Sequence, residues 1–128
     1  MFISGNWRDY ELIDASGGEK LERWGDVTLI RPDPQIVWTL SEKDKDERWG
    51  AADARYIRSS SGGGKWRMFR KLPDSWTINY GELRFGIKPM GFKHTGIFPE
   101  QAANWDWFSD IIRNSGRARD DINVLNLF

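Results

Sequence analysis

Alternation of hydrophobic and polar positions runs through much of the chain before residue 93. Leu83, Phe85 and Ile87 fall on one face of an extended segment, and the residues between them, which are polar or small, fall on the other. Such alternation is typical of an antiparallel strand with one buried face. The pattern therefore predicts a region of short antiparallel strands.

Clusters of small and turn-forming residues divide this region into hairpins. The clusters at 15–19, 59–64 and 81–82 are rich in glycine, which is suited to tight hairpin turns. Pro32 and Pro34 end a strand, because proline fixes φ and lacks an amide donor. We predict strands, most of them paired in hairpins, at 10–14, 20–24, 26–31, 54–58, 65–71, 76–80 and 83–88.

The period changes near the C-terminus, where the pattern is helical. Trp105, Phe108 and Ile112 recur at positions i, i+3 and i+7, which places them on one side of a helix. Pro99 fits the first helical position, where its missing N–H costs nothing, and Gly116 is suited to follow the last turn. The sequence therefore predicts an amphipathic helix over about residues 99–115.

The last segment, 122–128, is a nearly continuous hydrophobic run. A short run of this kind directly after a helix is typical of a parallel strand that is covered on both faces. A parallel sheet needs further βαβ units, and the sequence contains none after this run. An edge strand of a small α+β domain is the alternative. We expect Leu125, Leu127 and Phe128 either to lie exposed or to be covered by another partner.

Composition limits the chain to one modest core, since it has 128 residues. There is no cysteine, which excludes disulfides, thiolate metal sites and cysteine nucleophiles and is compatible with a reducing cytoplasmic setting. No stretch approaches the roughly 20 apolar residues that a membrane span needs, and no secretory leader is present, so we expect a cytoplasmic protein without a membrane partner.

His94 is the only histidine of the chain. No cysteine and no carboxylate stands at ligand spacing from it, so we predict no metal site. A general base is one interpretation of His94, and an exposed or hydrogen-bonded loop histidine is the favoured one.

The eight tryptophans admit two interpretations. Large rings supply buried area to a small core, and they also stack on bases or sugars. Because they are scattered among the predicted strands, we expect most of them to belong to the core. A carbohydrate-binding module is not favoured, since no acidic or amide cluster accompanies the rings.

Basic and aromatic residues interleave over 55–71. The 19 basic and 19 acidic residues balance, so any attraction of nucleic acid must come from a local patch such as this one. Cations contact phosphates while rings stack on unpaired bases, which is the usual chemistry of RNA binding. An antiparallel sheet with one wet basic face satisfies the same pattern. The candidate RNA-binding residues are Arg55, Arg58, Lys65, Arg67 and Arg70.

The motif Thr-Gly-Ile-Phe-Pro-Glu-Gln at 95–101, the helix and the final Asn-Val-Leu-Asn-Leu-Phe carry a family resemblance. Together they resemble the beginning of the catalytic domain of class I S-adenosylmethionine-dependent methyltransferases, particularly the bacterial family related to 23S rRNA cytosine-C5 methyltransferases. The resemblance implies an α+β fold: an antiparallel β-rich accessory region of hairpins in 1–92, then one amphipathic helix and the first strand of a truncated Rossmann-like methyltransferase domain in 93–128.

The same resemblance implies where the S-adenosylmethionine cofactor lies. Gln101 is the best match for the residue that lines its methionine end, with Thr95, Gly96 and Phe98 shaping the wall and Asn126 on the cofactor-binding strand. For Phe98, packing in a core is an alternative of equal weight.

Several parts of the family pattern are missing from the chain. The glycine-rich loop, the acidic residue for the ribose and any catalytic nucleophile are absent, and without cysteine this chain cannot perform the cysteine chemistry of cytosine-C5 transfer. We therefore expect part of an RNA methyltransferase, acting on rRNA, that is inactive alone and lacks about 150–200 residues. Its partner would be the missing C-terminal catalytic domain or a second copy. The alternative is a non-catalytic RNA-binding β module that uses the basic and aromatic hairpin.

Overall fold

A computed structural model describes residues 3–127 and divides them into two compact units. The larger unit contains residues 6–97, and the smaller contains residues 3–5 and 98–127. The described larger unit is made of strands and one 3₁₀ turn, Glu47–Ala51, and the smaller contains the one α-helix of the described residues. This β-rich architecture with one helix agrees with the predicted α+β class, while the assignment of 1–92 and 93–128 to separate functions stays a prediction.

A five-stranded sheet forms the body of the larger unit, with its strands in chain order. Neighbouring strands are antiparallel except for the third and fourth, which are parallel. The strands are β1 (Tyr10–Ser16), β2 (Glu19–Trp24), β3 (Val27–Pro32), β4 (Ala54–Arg58) and β5 (Gly64–Met68). The β1–β2 and β4–β5 hairpins confirm the predicted pairs, and Gly17 and Gly18 form the first turn with positive φ.

A second, two-stranded sheet consists of β6 (Trp76–Tyr80) and β7 (Leu83–Ile87). This hairpin is also confirmed, with Gly81 at positive φ in its turn. Its inward residues Ile78 and Ile87 pack with Trp24 in the main hydrophobic core, because these residues belong to one buried cluster.

The β5 strand ends at Met68, three residues before the predicted end at 71. The backbone N–H of Phe69 donates to Asp53 O at 2.8 Å, and that of Arg70 donates to the same oxygen at 3.4 Å. The first bond continues the β4–β5 register by one more pair, and the second uses the same acceptor for the next residue, so the regular ladder ends there.

Tryptophan rings supply much of the buried surface, as the sequence predicts. Trp24 is fully buried, and three further rings, Trp7, Trp66 and Trp76, pack against its cluster. Trp49 packs against a smaller cluster on Leu21, Ile30 and Ala52.

A buried ion pair lies inside this unit. Glu22 has no exposed surface, and Arg31 donates to it twice, at 2.6 Å from Nε and 2.8 Å from Nη2. The hydroxyl of Tyr10 donates a further bond to Glu22 at 2.9 Å, and the Arg31 guanidinium lies 5.0 Å from the centre of the Trp24 ring. A buried carboxylate is tolerated only when its oxygens are paired in this way.

The predicted helix is confirmed in the smaller unit. A 3₁₀ turn, Pro99–Gln101, leads into α1 (Ala102–Asn114), and Gly116 follows with φ of +67°. The positive φ is the conformation in which glycine ends a helix at the lowest cost. No helix within residues 3–127 is long and apolar enough to cross a bilayer.

The predicted strand at 122–128 is wrong for the residues described. A 3₁₀ turn, Arg119–Asp121, is followed by irregular chain through 127, and Phe128 lies outside the described residues. A strand requires hydrogen bonds to a neighbouring strand, and no strand of residues 3–127 pairs with this run. Leu125 and Leu127 are 82% and 75% exposed, which is one of the two states that the sequence predicts for them.

Candidate nucleic-acid interface

The register of β4 and β5 decides which face each candidate RNA-binding residue occupies. Arg55 is opposite Arg67 and Ile57 is opposite Lys65, so the three basic side chains among them share one face. Arg58 lies on the opposite face of the two strands, together with Tyr56 and Trp66. Most of the candidate cations therefore lie on one face and the Tyr56 and Trp66 rings on the other, with Arg58 as the exception.

Two of the candidate cations are engaged in ion pairs. Arg55 donates two hydrogen bonds to the Glu19 carboxylate, at 2.8 and 2.6 Å. Arg70 pairs with Asp53, with one bond of 2.9 Å, and also donates to Asp26 O at 3.0 Å. Arg55 joins β4 to β2, and Arg70 joins the segment after β5 to the loops before β3 and β4, so their removal would disturb the fold as well as any RNA contact.

Lys65 and Arg67 remain exposed on their face, and within residues 3–127 neither forms an ion pair. The Arg67 guanidinium lies 5.4 Å from the centre of the Phe69 ring, and that ring is itself half exposed. This face therefore presents one cation, Arg67, beside one exposed aromatic ring, Phe69, to a ligand.

Arg58 lies beside a second set of residues that the sequence analysis did not assign to RNA. The loop after β7 crosses the β4–β5 hairpin, since Trp66 Nε1 donates to Met90 O at 2.8 Å and the Tyr56 hydroxyl donates to Gly91 O at 3.4 Å. Between this loop and the hairpin tip is a cleft of about 240 Å³. We call it the tip cleft; its lining residues are Tyr56, Arg58, Ser59, Gly62, Gly63, Phe92, Lys93 and His94.

The buried ion pair fixes one wall of the tip cleft. Arg31 Nη1 donates to Lys93 O at 3.0 Å, and Lys93 Nζ donates to Pro32 O at 3.3 Å. Burial lowers the pKa of Lys93, and the positive charge of Arg58 lowers it further. Lys93 and Arg58 are therefore the two cations that line the tip cleft.

Phe92 and Lys93 are the residues of this cleft that sequence reasoning missed, and His94 was considered only as a base or a loop residue. Phe92, Lys93 and His94 repeat the aromatic and basic character of the hairpin. That similarity was the available signal. Their sequence distance from Arg58 concealed it, because only the docking of the loop on Tyr56 and Trp66 brings the two segments together.

The candidate cofactor residues occupy different surroundings in the two units. Thr95 belongs to the larger unit and is fully buried, while Gly96 has φ of +119° and sits so close to β7 that an added Cβ would lie 2.9 Å from Gly86 O. In the smaller unit Phe98 is exposed, and the Gln101 side-chain oxygen accepts a bond from Asn104 at 2.8 Å.

Asn126, the fifth candidate, lies in the exposed irregular run after the helix. A residue of a cofactor-binding strand needs that strand to hold it, and the strand is not formed here. Thr95 is buried within the larger unit. The assignment of these five residues to the S-adenosylmethionine site stays a prediction.

Acidic and imidazole groups do not gather into a metal site. Within residues 3–127 no group of three or more His, Asp or Glu side chains is arranged to hold a metal ion. His94 is exposed at the rim of the tip cleft.

Thr95 provides a first testable prediction, because its buried hydroxyl makes no hydrogen bond to any described residue. Thr95→Val keeps the shape and removes the unpaired group, so the free energy of unfolding should stay level or rise by about 1 kcal/mol in urea titrations. Ser16→Ala is the matched control: the Ser16 hydroxyl accepts from Leu40 N–H at 2.9 Å, and its removal should cost about 1 kcal/mol. If Thr95→Val lowered the free energy of unfolding as much as Ser16→Ala, the conclusion that the Thr95 hydroxyl is unpaired would be wrong.

The chain was compared with protein-family models, with curated proteins and with solved structures. No protein-family model matches the chain, and no curated protein matches it. Among solved structures, the chain is similar to the S-adenosylmethionine-dependent methyltransferase from Agrobacterium tumefaciens, with 33% sequence identity and a TM-score of 0.74. The match covers 87% of this chain and 35% of the Agrobacterium chain, so this chain spans about a third of that protein's length. The comparison supports the methyltransferase class predicted from the C-terminal motif.

Proposed function

We propose that this chain forms part of an S-adenosylmethionine-dependent methyltransferase that acts on RNA, with an rRNA cytosine as the target. The observation that carries the methyltransferase part is the 33% identity to the Agrobacterium enzyme over 87% of this chain. The RNA target rests on the exposed basic and aromatic groups of the β4–β5 hairpin and the tip cleft, and on the resemblance in the C-terminal motif. The cytoplasm is the compartment we propose for this activity.

In this proposal the 128 residues do not bind the cofactor productively when they stand alone. Thr95 is buried, and Asn126 lies on exposed irregular chain. The exposed Leu125 and Leu127 are suited to pack in a sheet, so their natural cover in the proposal is a catalytic domain or a second copy of the chain. The chain itself would shape that domain and contact the RNA.

Two proteins test the proposal by calorimetric titration with S-adenosylmethionine. The chain alone should give no binding at micromolar strength. A chimera, in which this chain replaces the matched third of the Agrobacterium methyltransferase, should bind the cofactor and transfer its methyl group to RNA. Micromolar binding by the chain alone would overturn the incomplete site, and a folded chimera that binds no cofactor would overturn the methyltransferase assignment.

A non-catalytic RNA-binding module is the second candidate function, favoured by the exposure of Arg58, Lys65 and Arg67. It requires RNA binding by the chain alone and no catalytic activity of the chimera. The two candidates therefore separate in the methyl-transfer measurement, since both include RNA binding.

A further inference from the structure

We infer that the tip cleft holds one nucleotide of single-stranded RNA, with its phosphate between Arg58 and Lys93 and its base against Phe92. The inference deepens the proposed function and rests on its RNA target. It names a binding site and the chemical form of the ligand.

The phosphate position follows from the distribution of charge. Arg58 and Lys93 line the same cleft, and among residues 3–127 Arg58 forms no ion pair. Arg31 and Lys20 also lie near Lys93, but they are paired with Glu22 and Asp33, so Arg58 and Lys93 are the cations that a ligand in the cleft would meet. An anion placed between Arg58 and Lys93 relieves their mutual repulsion, and a phosphate diester accepts hydrogen bonds from both.

The base position follows from the exposure of one ring. Phe92 is 66% exposed although it is a large hydrophobic residue at the rim of a polar cleft. An unpaired base stacks on such a ring, and the contact tolerates any base because each has a π face. The bases of a duplex are already stacked on one another, so single-stranded RNA is the form that fits.

The dimensions of the cleft agree with a phosphate and part of a nucleotide. Its volume of about 240 Å³ is below the roughly 300–1,000 Å³ of sites that enclose a whole cofactor or drug-sized ligand. Gly62 and Gly63, which have no side chains, form one side of the opening at the hairpin tip. A polynucleotide can therefore enter and leave the cleft along its backbone.

Fluorescence anisotropy with a labelled single-stranded oligouridylate, at several salt concentrations, tests this site. A plot of log affinity against log salt has a negative slope. Arg58→Ala and Lys93→Ala should each make that slope shallower by about 0.7, the value for one lost phosphate contact on a single strand. Phe92→Ala should weaken binding about tenfold and leave the slope unchanged, because stacking releases no counterions.

Arg84→Ala is the matched control. It removes one exposed positive charge from β7, outside the tip cleft, and should leave both slope and affinity unchanged. Duplex RNA of the same length should not respond to Phe92→Ala. Inorganic phosphate should compete only at concentrations far above those of the oligonucleotide; equal competition would show a simple anion site and overturn the nucleotide assignment.

The wild-type protein gives a second measurement that does not depend on the folding of variants. Lys93 is surrounded by Lys20, Arg31, Asp33 and Arg58, and bound RNA adds negative charge to that set. Carbon and proton shifts of the Lys93 side chain, followed against pH, should show its pKa raised when the oligouridylate is present. An unchanged pKa at saturating RNA would overturn the phosphate position.

The failure of this inference is distinct from failure of the RNA function. RNA binding that ignores the Arg58, Lys93 and Phe92 variants but is lost in Lys65→Ala with Arg67→Ala would place the contact on the opposite face of the hairpin, and the RNA function would stand. No salt-dependent RNA binding by the wild type would remove the RNA target and the tip-cleft site together.

Discussion

Arg31→Ala is expected to lower the free energy of unfolding by roughly 3–5 kcal/mol, because it leaves the fully buried Glu22 carboxylate without its main partner. Lys20 Nζ, at 3.5 Å from Glu22, and the Tyr10 hydroxyl do not replace the two short bonds that Arg31 donates. The loss is to be measured by urea denaturation followed by circular dichroism.

Lys45→Ala is the control for removing a charge at the surface. Its partner Glu42 lies at 2.6 Å but is 90% exposed, so the loss should be at most about 1 kcal/mol. A second comparison replaces both buried partners, as Glu22→Leu with Arg31→Met, and should recover most of the stability. Equal losses for Arg31→Ala and Lys45→Ala would contradict the assignment of a buried pair.

The double replacement also connects the core to the tip cleft. Arg31 donates to Lys93 O, and neither Leu nor Met can make that bond. We therefore expect a stable protein in which Lys93 is less firmly placed and RNA binding is weaker. Arg31 is a positioning residue in this scheme, since it lines no part of the cleft itself.

Trp24→Ala is expected to cost roughly 3–5 kcal/mol, the usual range for removing a large ring from a packed core. Trp24 is fully buried between both sheets: it packs with Val27 and Leu29 of the first and with Ile78 and Ile87 of the second. Truncation would leave a cavity that surrounding β-strands cannot close without losing their register. Urea denaturation gives the value.

Trp38→Ala is the matched substitution outside the core. Its ring is half exposed and its indole N–H donates to Ala15 O at 2.7 Å, so the expected loss is that of one hydrogen bond with partial burial, about 1 kcal/mol. If both variants lose the same amount, the claim that Trp24 anchors the packing between the sheets fails.

The sequence predicts secondary structure most accurately where neighbours in the chain decide it. Every hairpin predicted from alternation and glycine turns is present, and α1 lies within the predicted limits because Pro99 and Gly116 mark its ends. The run at 122–127 shows the opposite case. Its composition favours a strand, but a strand without a partner has no ladder of hydrogen bonds, and the run stays irregular.

In the candidate sites, too, the sequence shows the residue types, and distant contacts decide what each residue does. Interleaved cations and rings were visible in the sequence, but pairing with Glu19 and Asp53 commits Arg55 and Arg70 to the fold. Burial of Thr95 was not visible either, because the exposure of one side chain in a loop depends on how the whole unit folds. Phe92, Lys93 and His94, which join Arg58 in the tip cleft, are separated from it along the chain by β5, β6 and β7.

The sequence by itself therefore determined the hairpins, the helix, the use of tryptophan rings as core and the methyltransferase resemblance of the C-terminal motif, since periodicity, turn residues and short motifs are local properties. Only the tertiary structure decided the parallel contact of β3 with β4, the pairing of Glu22 with Arg31 and the meeting of Arg58 with Lys93. These features depend on contacts between distant segments, which form only when burial and hydrogen bonding of the whole unit are satisfied together.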